Sequence, residues 1–204
     1  MTVKTKREER FFMKKMKLKD IAFIQSGLVL SRKESENKGK VYKRLTFRSI
    51  GEYGFDINSL ETFRTSEDIS QFLTRENDII LKLFVPLRGV LIDKKSKGFV
   101  VPSQLCILRP KDNIDPGFLL GYFNSLGNRI DNLVEDVGLL GQRLVKVNSL
   151  REIEVPIVSM EKQILVSSII REQNKLNGLY RDLIKEENYR LTNIINSVLE
   201  MGND

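Results

Sequence analysis

Apolar positions along the 204-residue chain follow two different periods, and the change comes near Pro156. Before that proline they form short runs broken by turn residues. Val41, Leu45, Phe47 and Ile50 predict a strand between Lys40 and Gly51, and Phe55-Asp56-Ile57 continues as another after the turn Gly51 to Gly54. Ile79–Leu83, Gly89–Asp93, Gly98–Val101 and Ser103–Leu108 have the length of buried strands. Leu18, Ile21 and Ala22 predict a short helix or turn ended by Gly27. Ser66 predicts the cap of a helix carrying Ile69, Phe72 and Leu73. Asp115 and Pro116 have the cap and first-position chemistry of a helix carrying Phe118, Leu119, Tyr122 and Phe123. Strands with helices interposed, but without regular βαβ alternation, predict an α+β head built on a mixed sheet.

After Pro156 the period lengthens to three and four. Ile169, Leu176 and Leu183 are seven apart, with Gln173 and Tyr180 between them, and Leu191, Ile194 and Val198 continue the stripe. No proline interrupts Glu161–Leu199, so this stretch predicts a helix of about 58 Å. One small head cannot bury such a stripe, so a partner helix is expected, in a second copy or in another protein. The domain reading is a basic flexible tail over 1–16, a head over 17–160 and a coiled-coil helix over 161–204.

Composition narrows the chemistry. The chain has no histidine, which removes Ser-His-Asp and Cys-His catalysis and histidine-containing zinc sites. The single cysteine, Cys106, lies in the apolar run Ser103–Leu108 and reads as a buried strand residue. No phosphate-binding loop or glycine-rich dinucleotide fingerprint is present. Asp115-Pro116-Gly117-Phe118 superficially resembles the Asp/Asn-Pro-Pro-aromatic motif of amino-methyltransferases, but glycine replaces the second proline and the helix-cap reading is favoured. No catalytic constellation emerges, so a binding protein without cofactor or metal is expected. No apolar run has membrane-spanning length and the N-terminus has no signal-peptide core, so a cytoplasmic location is the default expectation.

Charge is segregated. Residues 1–19 carry eight Lys/Arg against two Glu, and the formal net charge of the whole chain is +7. Within the head, residues 32–48 and 82–111 are each strongly basic, and the intervening 49–81 is acidic. If the two basic stretches fold together, one face is positive, as a phosphate-binding surface must be.

A string of motifs in order resembles the specificity subunit of type I restriction-modification enzymes. Leu18-Lys19-Asp20-Ile21-Ala22-x-Ile24-x-Ser26-Gly27 is similar to the opening of a target-recognition domain, and Asn77-Asp78-Ile79-Ile80 to its Gly-Asp-Ile-Ile/Leu step. Val101-Pro102-Ser103, Leu108-Arg109-Pro110 and Ile114-x-Pro116-x-Phe118-Leu119-x-x-Tyr122-Phe123 follow in the family order. Gly141-Gln142-Arg143-Leu144 and Leu150-x-x-Ile153-x-Val155-Pro156-Ile157 resemble the exit strand, and Met160-Glu161-Lys162-Gln163-Ile164 the start of the conserved helix, with the Glu displaced by one position. Standard subunits carry two recognition domains and two helices. This chain shows no internal repeat and resembles half of one.

The resemblance implies a non-catalytic subunit that reads double-stranded DNA, docks methyltransferase subunits and, through the complex, meets the restriction subunit. It also implies arms packed antiparallel, in a homodimer or with another specificity half, on a bipartite site. An arm of about 58 Å bounds the half-site separation at about 17 base pairs. The expected dimer seam is Ile169, Gln173, Leu176, Tyr180, Leu183, Leu191, Ile194 and Val198. The expected DNA-binding residues are Ser31, Arg32, Lys33, Arg44, Arg48, Lys82, Arg88, Lys94, Lys95, Lys97, Ser103, Gln104, Gln142 and Arg143, because Arg and Lys fork onto guanine or phosphate and Gln onto adenine. Two other classes compete: a coiled-coil scaffold whose head binds a protein partner, and a nuclease working through carboxylates alone.

Overall fold

The computed structural model describes residues 14–33, 38–51, 54–126, 134–137 and 142–200. Most of the basic tail therefore lies outside the described residues. In chain order the elements are β1 (Lys15–Lys17), α1 (Leu18–Ile21), β2 (Ala22–Ser26), β3 (Lys40–Arg44), β4 (Ile50–Gly51), β5 (Gly54–Phe55), β6 (Glu61–Thr65), β7 (Ile79–Lys82), β8 (Gly89–Leu91) and β9 (Leu105–Pro110). Then come α2 (Pro116–Leu126), β10 (Val134–Val137), β11 (Gln142–Val145), α3 (Val147–Arg151), β12 (Glu154–Pro156) and α4 (Met160–Glu200). The α+β reading holds.

The centre is an antiparallel sheet in the order β2-β9-β7-β8. Its middle strands are buried on both faces, which is why they read in the sequence as unbroken apolar runs rather than alternating ones. Ile79, Leu81, Cys106 and Leu108 face one core with α1, α2 and α3. Ile80, Leu105 and Ile107 point the other way, into a second core with Leu45, Ile50 and Val101. Cys106 is fully buried, and burial pushes its thiol up to about 12.

Two predictions of helix fail locally. Ala22–Ser26 is strand β2, not part of a helix, because Ala22 and Ile24 turn inward, Phe23 stays exposed and the segment pairs with β9. Ser66 caps no helix; only the single turn Ser70–Phe72 forms, while Val101 donates to the Phe72 carbonyl at 3.0 Å and holds the segment extended beside it. The predicted strand Gly98–Val101 is an extended connector. Val100 donates to Lys43 and accepts from Leu45, which joins the β3-β6 hairpin to the rest of the head.

The start of the described chain is tied to the exit strand. β1, whose first two residues fall in the stretch read as tail, pairs antiparallel with β12, Met16 facing Val155. Lys17 and Lys19 both hold Glu152, at 2.7 and 2.6 Å.

The arm forms as its periodicity predicts, 41 residues from Met160 to Glu200 and about 60 Å long. Its first turns are docked on α2. Gln163, buried, accepts from the Asp115 backbone at 2.9 Å and donates to the Val158 carbonyl at 3.0 Å. Gly117 and Gly121 bring α2 against Ser167 and Ile170. The Asp115 cap is present, its Oδ1 accepting from Phe118 N at 2.9 Å. Farther along, Arg181 reaches back to the Phe55 carbonyl at 3.2 Å.

Candidate nucleic-acid interface

The register of the central sheet sorts the expected DNA-binding residues between its two ends. Lys82 closes β7 opposite Leu105, the first residue of β9, so the loop Leu83–Arg88 and the turn Ser103-Gln104 leave from the same end. Leu83 N donates to the Gln104 carbonyl at 3.3 Å. β11 joins them: Val85 N donates to the Arg143 carbonyl at 3.0 Å, and Val145 N to that of Leu83 at 2.8 Å. The chain from Val100 to Ser103 runs parallel to that from Arg44, which delivers Phe47 and Arg48 to this end as well. Leu28 pairs in parallel with Pro102, so the turn Leu30–Arg32 with exposed Ser31 lies alongside.

One tip therefore gathers Arg48, Lys82, Arg88, Ser103, Gln104 and Arg143 from four separate segments, with Ser31 at its side. The side chains of Arg32 and Gln142 lie outside the described residues. Arg48 is exposed and has no ion-pair partner among the described residues. Lys82 is half-buried, and burial holds its ammonium below the usual lysine value. Arg88 donates to the Asn124 carbonyl at 3.2 Å, at the end of α2, and Asn124 Oδ1 accepts from Gly89 N at 2.9 Å.

Lys94, Lys95 and Lys97 are not part of this tip. They follow β8, whose last residue, Leu91, faces Ile79 at the opposite end of β7. Lys97 lies 4.0 Å from Glu76, while Lys94 and Lys95 border a cleft with Arg171 and Asn174 of the arm. Two other cations are already paired: Lys33 with Glu67, and Arg44 with Glu61 across the β3-β6 hairpin.

The sequence did not single out the aromatic groups of the tip. Phe47 falls within the strand predicted over Lys40–Gly51, but Thr46 and Ser49 form reciprocal caps around the turn Phe47–Ser49, which breaks the strand and leaves the ring 41% exposed. Phe84 meets it edge-on, with ring centres 5.4 Å apart, and Lys82 Nζ sits 3.9 Å from the Phe47 ring centre. The Thr46-x-x-Ser49 spacing was the available signal of a break in the strand.

The arm presents its apolar stripe to solvent. Ile169, Leu176, Tyr180, Leu183, Leu191, Ile194 and Val198 are each exposed. Gln173 stands at the border of that face, donating to Asn177 at 3.0 Å beside a cleft against the head. Among the described residues no helix is long and apolar enough to cross a membrane, and no cluster of three or more potential metal ligands occurs.

The sequence profile of the type I restriction modification DNA specificity domain matches residues 13–186, the whole head and most of the arm. The chain belongs to this family. Its relatives are DNA-recognition rather than catalytic subunits, in keeping with the sequence reading. Among solved structures, the specificity-domain chain is similar to the HsdS subunit from Thermoanaerobacter tengcongensis, with 14% identity, a TM-score of 0.56, and 83% of this chain covering 39% of that one. It is also similar to a chain from a study of complex assembly and conformational transition of the type I R-M system, with 15% identity, a TM-score of 0.59, and 89% of this chain covering 43% of that one. These likenesses are of fold, and this chain spans about two-fifths of the length of each. No curated protein matches the sequence.

Proposed function

We propose that this chain is the DNA-recognition subunit of a type I restriction-modification system, its head reading one half of a bipartite site and its arm fixing the distance to a second head. The observation that carries the reading is the tip. Cations and amide or hydroxyl side chains from four separate segments converge on one end of a rigid sheet, the composition that grips phosphate and reads base edges.

The division of labour follows the earlier domain reading, with residues 17–160 as the recognition head and 161–204 as the spacing helix. Arg48, Lys82, Arg88, Ser103, Gln104 and Arg143 form the main contact surface, flanked by Ser31, and Arg32 and Gln142 are assigned to DNA contact from the sequence alone. Lys33 and Arg44 would first exchange a carboxylate for phosphate. Lys94, Lys95 and Lys97 lie at the other end of the sheet, outside this surface. The exposed stripe of α4 packs antiparallel on the arm of a second copy or of another specificity half. In the homodimer, two-fold symmetry makes the DNA site palindromic with a fixed gap. Methyltransferase subunits dock on this assembly, and the restriction subunit joins through them.

The test is binding to duplex DNA as salt is raised. Replacing Arg48 or Arg88 by Ala is expected to reduce the slope of log affinity against log salt by about one each, as for one lost phosphate contact. Lys94→Ala and Lys95→Ala are expected to leave it unchanged. Equal slopes for all four variants and the parent would contradict the assignment of the tip.

A further inference from the structure

The aromatic part of the tip forms a concave site. Phe47, Phe84, Val85, Pro86 and Ile50 line a cleft of about 380 Å³, with Lys82 and Arg88 at its border. Phe84 meets the Phe47 ring edge-on, and the Phe47 ring lies under the Lys82 ammonium.

Resting on the DNA-recognition reading, we propose that this cleft is a thymine pocket: the thymine 5-methyl group enters the apolar cleft and Lys82 Nζ donates to the adjacent O4. The major-groove edge of thymine is the only one of the four base edges that offers a methyl group beside an acceptor. Cytosine presents an amino donor where O4 would be, which faces the Lys82 ammonium without a hydrogen bond. The concavity decides against insertion between base steps, since a wedge must project. Lys82 suits the role because burial has already removed part of its water and because its position over the Phe47 ring leaves the ammonium beside the methyl site. Phe47 and Phe84 are then specificity residues that add little to phosphate attraction.

The experiment is selection of bound sequences from a pool of randomised duplex DNA by the full chain, followed by affinity measurements on the selected site with each thymine replaced in turn by uracil. Uracil removes only the methyl group. At one position per half-site the replacement is expected to weaken binding about fourfold, the effect of one buried methyl group. At the others it should do nothing. Phe47→Ala is expected to bind the thymine and uracil forms of that position alike while keeping the parent's salt slope, and Lys82→Met to lose the preference for thymine over cytosine there. Equal affinity of the parent for thymine and uracil at every position of a selected site would overturn the thymine pocket and leave the DNA-recognition reading standing. Failure to enrich any sequence would overturn both. The uracil measurement uses the unaltered protein, so it stands even if a variant fails to fold.

Discussion

Gly117 lies so close to Ser167 that a β-carbon at position 117 would stand 2.1 Å from Ser167 Oγ. With Gly121 one turn on, where a β-carbon would meet Ile170 Cγ1 at 2.9 Å, it lets the arm lie directly against α2. Gly117→Ala is expected to destabilise the protein by about 2 kcal/mol, because overpacking outweighs the gain in helix propensity. Gly178, inside α4 with open space around it, is the matched control. Gly178→Ala is expected to stabilise by about 0.5–1 kcal/mol. Urea midpoints of both variants check the pair, and a neutral Gly117→Ala would contradict the close packing.

Arg109 and Asp78 form the most protected ion pair among the described residues. Arg109 Nε donates to Asp78 Oδ1 at 3.0 Å, and Asp78 Oδ2 accepts from Arg75 N at 2.8 Å. Burial pushes the Asp78 carboxyl above its ordinary value, while the Arg109 guanidinium opposes that shift. Arg109→Met is expected to cost about 3 kcal/mol by leaving a buried charge without its partner. The Asp78 carboxyl then rises further, so the deficit shrinks as the pH is lowered and Asp78 accepts a proton in the folded state. Asp78→Asn in the same background is expected to restore part of the loss, which a double-mutant cycle on urea midpoints measures.

Glu152 gives pH dependence of the opposite sign. Hydrogen bonds from Lys17 and Lys19 hold its carboxyl down at about 2, against an ordinary value of 4.5. A depressed folded value stabilises the fold fully above the ordinary carboxylate range, and that contribution is lost as the pH falls towards about 2. Glu152→Gln lacks it at every pH. The difference in urea midpoint between parent and variant should be present at neutral pH, shrink in high salt because the groups are exposed, and vanish only as the pH falls below about 2.

The exposed stripe of the arm predicts self-association or pairing with another arm. Ile169, Leu176 and Leu183 are 59%, 42% and 58% exposed in the single chain, an arrangement water does not favour over a partner helix. The parent is expected to be dimeric by light scattering at tens of micromolar, and Leu176→Asp with Leu183→Asp to be monomeric with an intact head. A monomeric parent at that concentration would contradict the homodimer.

The elements legible in the sequence are those whose signals are local. Asp115 and Pro116 announce α2 because a cap and a first-turn proline need no distant partner. Ile79–Leu83 announces β7, and the three-four period announces α4. What was hidden depends on pairing across the chain. Ala22–Ser26 becomes a strand only because β9, some eighty residues later, offers it an edge. The Gly117–Ser167 contact could not be seen for the same reason. The sequence named candidate DNA-binding residues but not how the fold separates them. Lys82 and Lys94 are close in sequence, yet β8 lies between them and carries them to opposite ends of the sheet. Phe47 was misread because its outward turn depends on a pair of side-chain caps rather than on the hydrophobic pattern.

The central claim is that this chain supplies sequence recognition to a methyltransferase. Its most direct test is purification of the intact chain from its native host, with the bound proteins identified by mass. The account predicts recovery of an N6-adenine methyltransferase subunit in fixed proportion to the chain. Recovery of the chain alone, or of unrelated proteins only, would contradict the modification role and leave a DNA-binding or scaffold protein in its place.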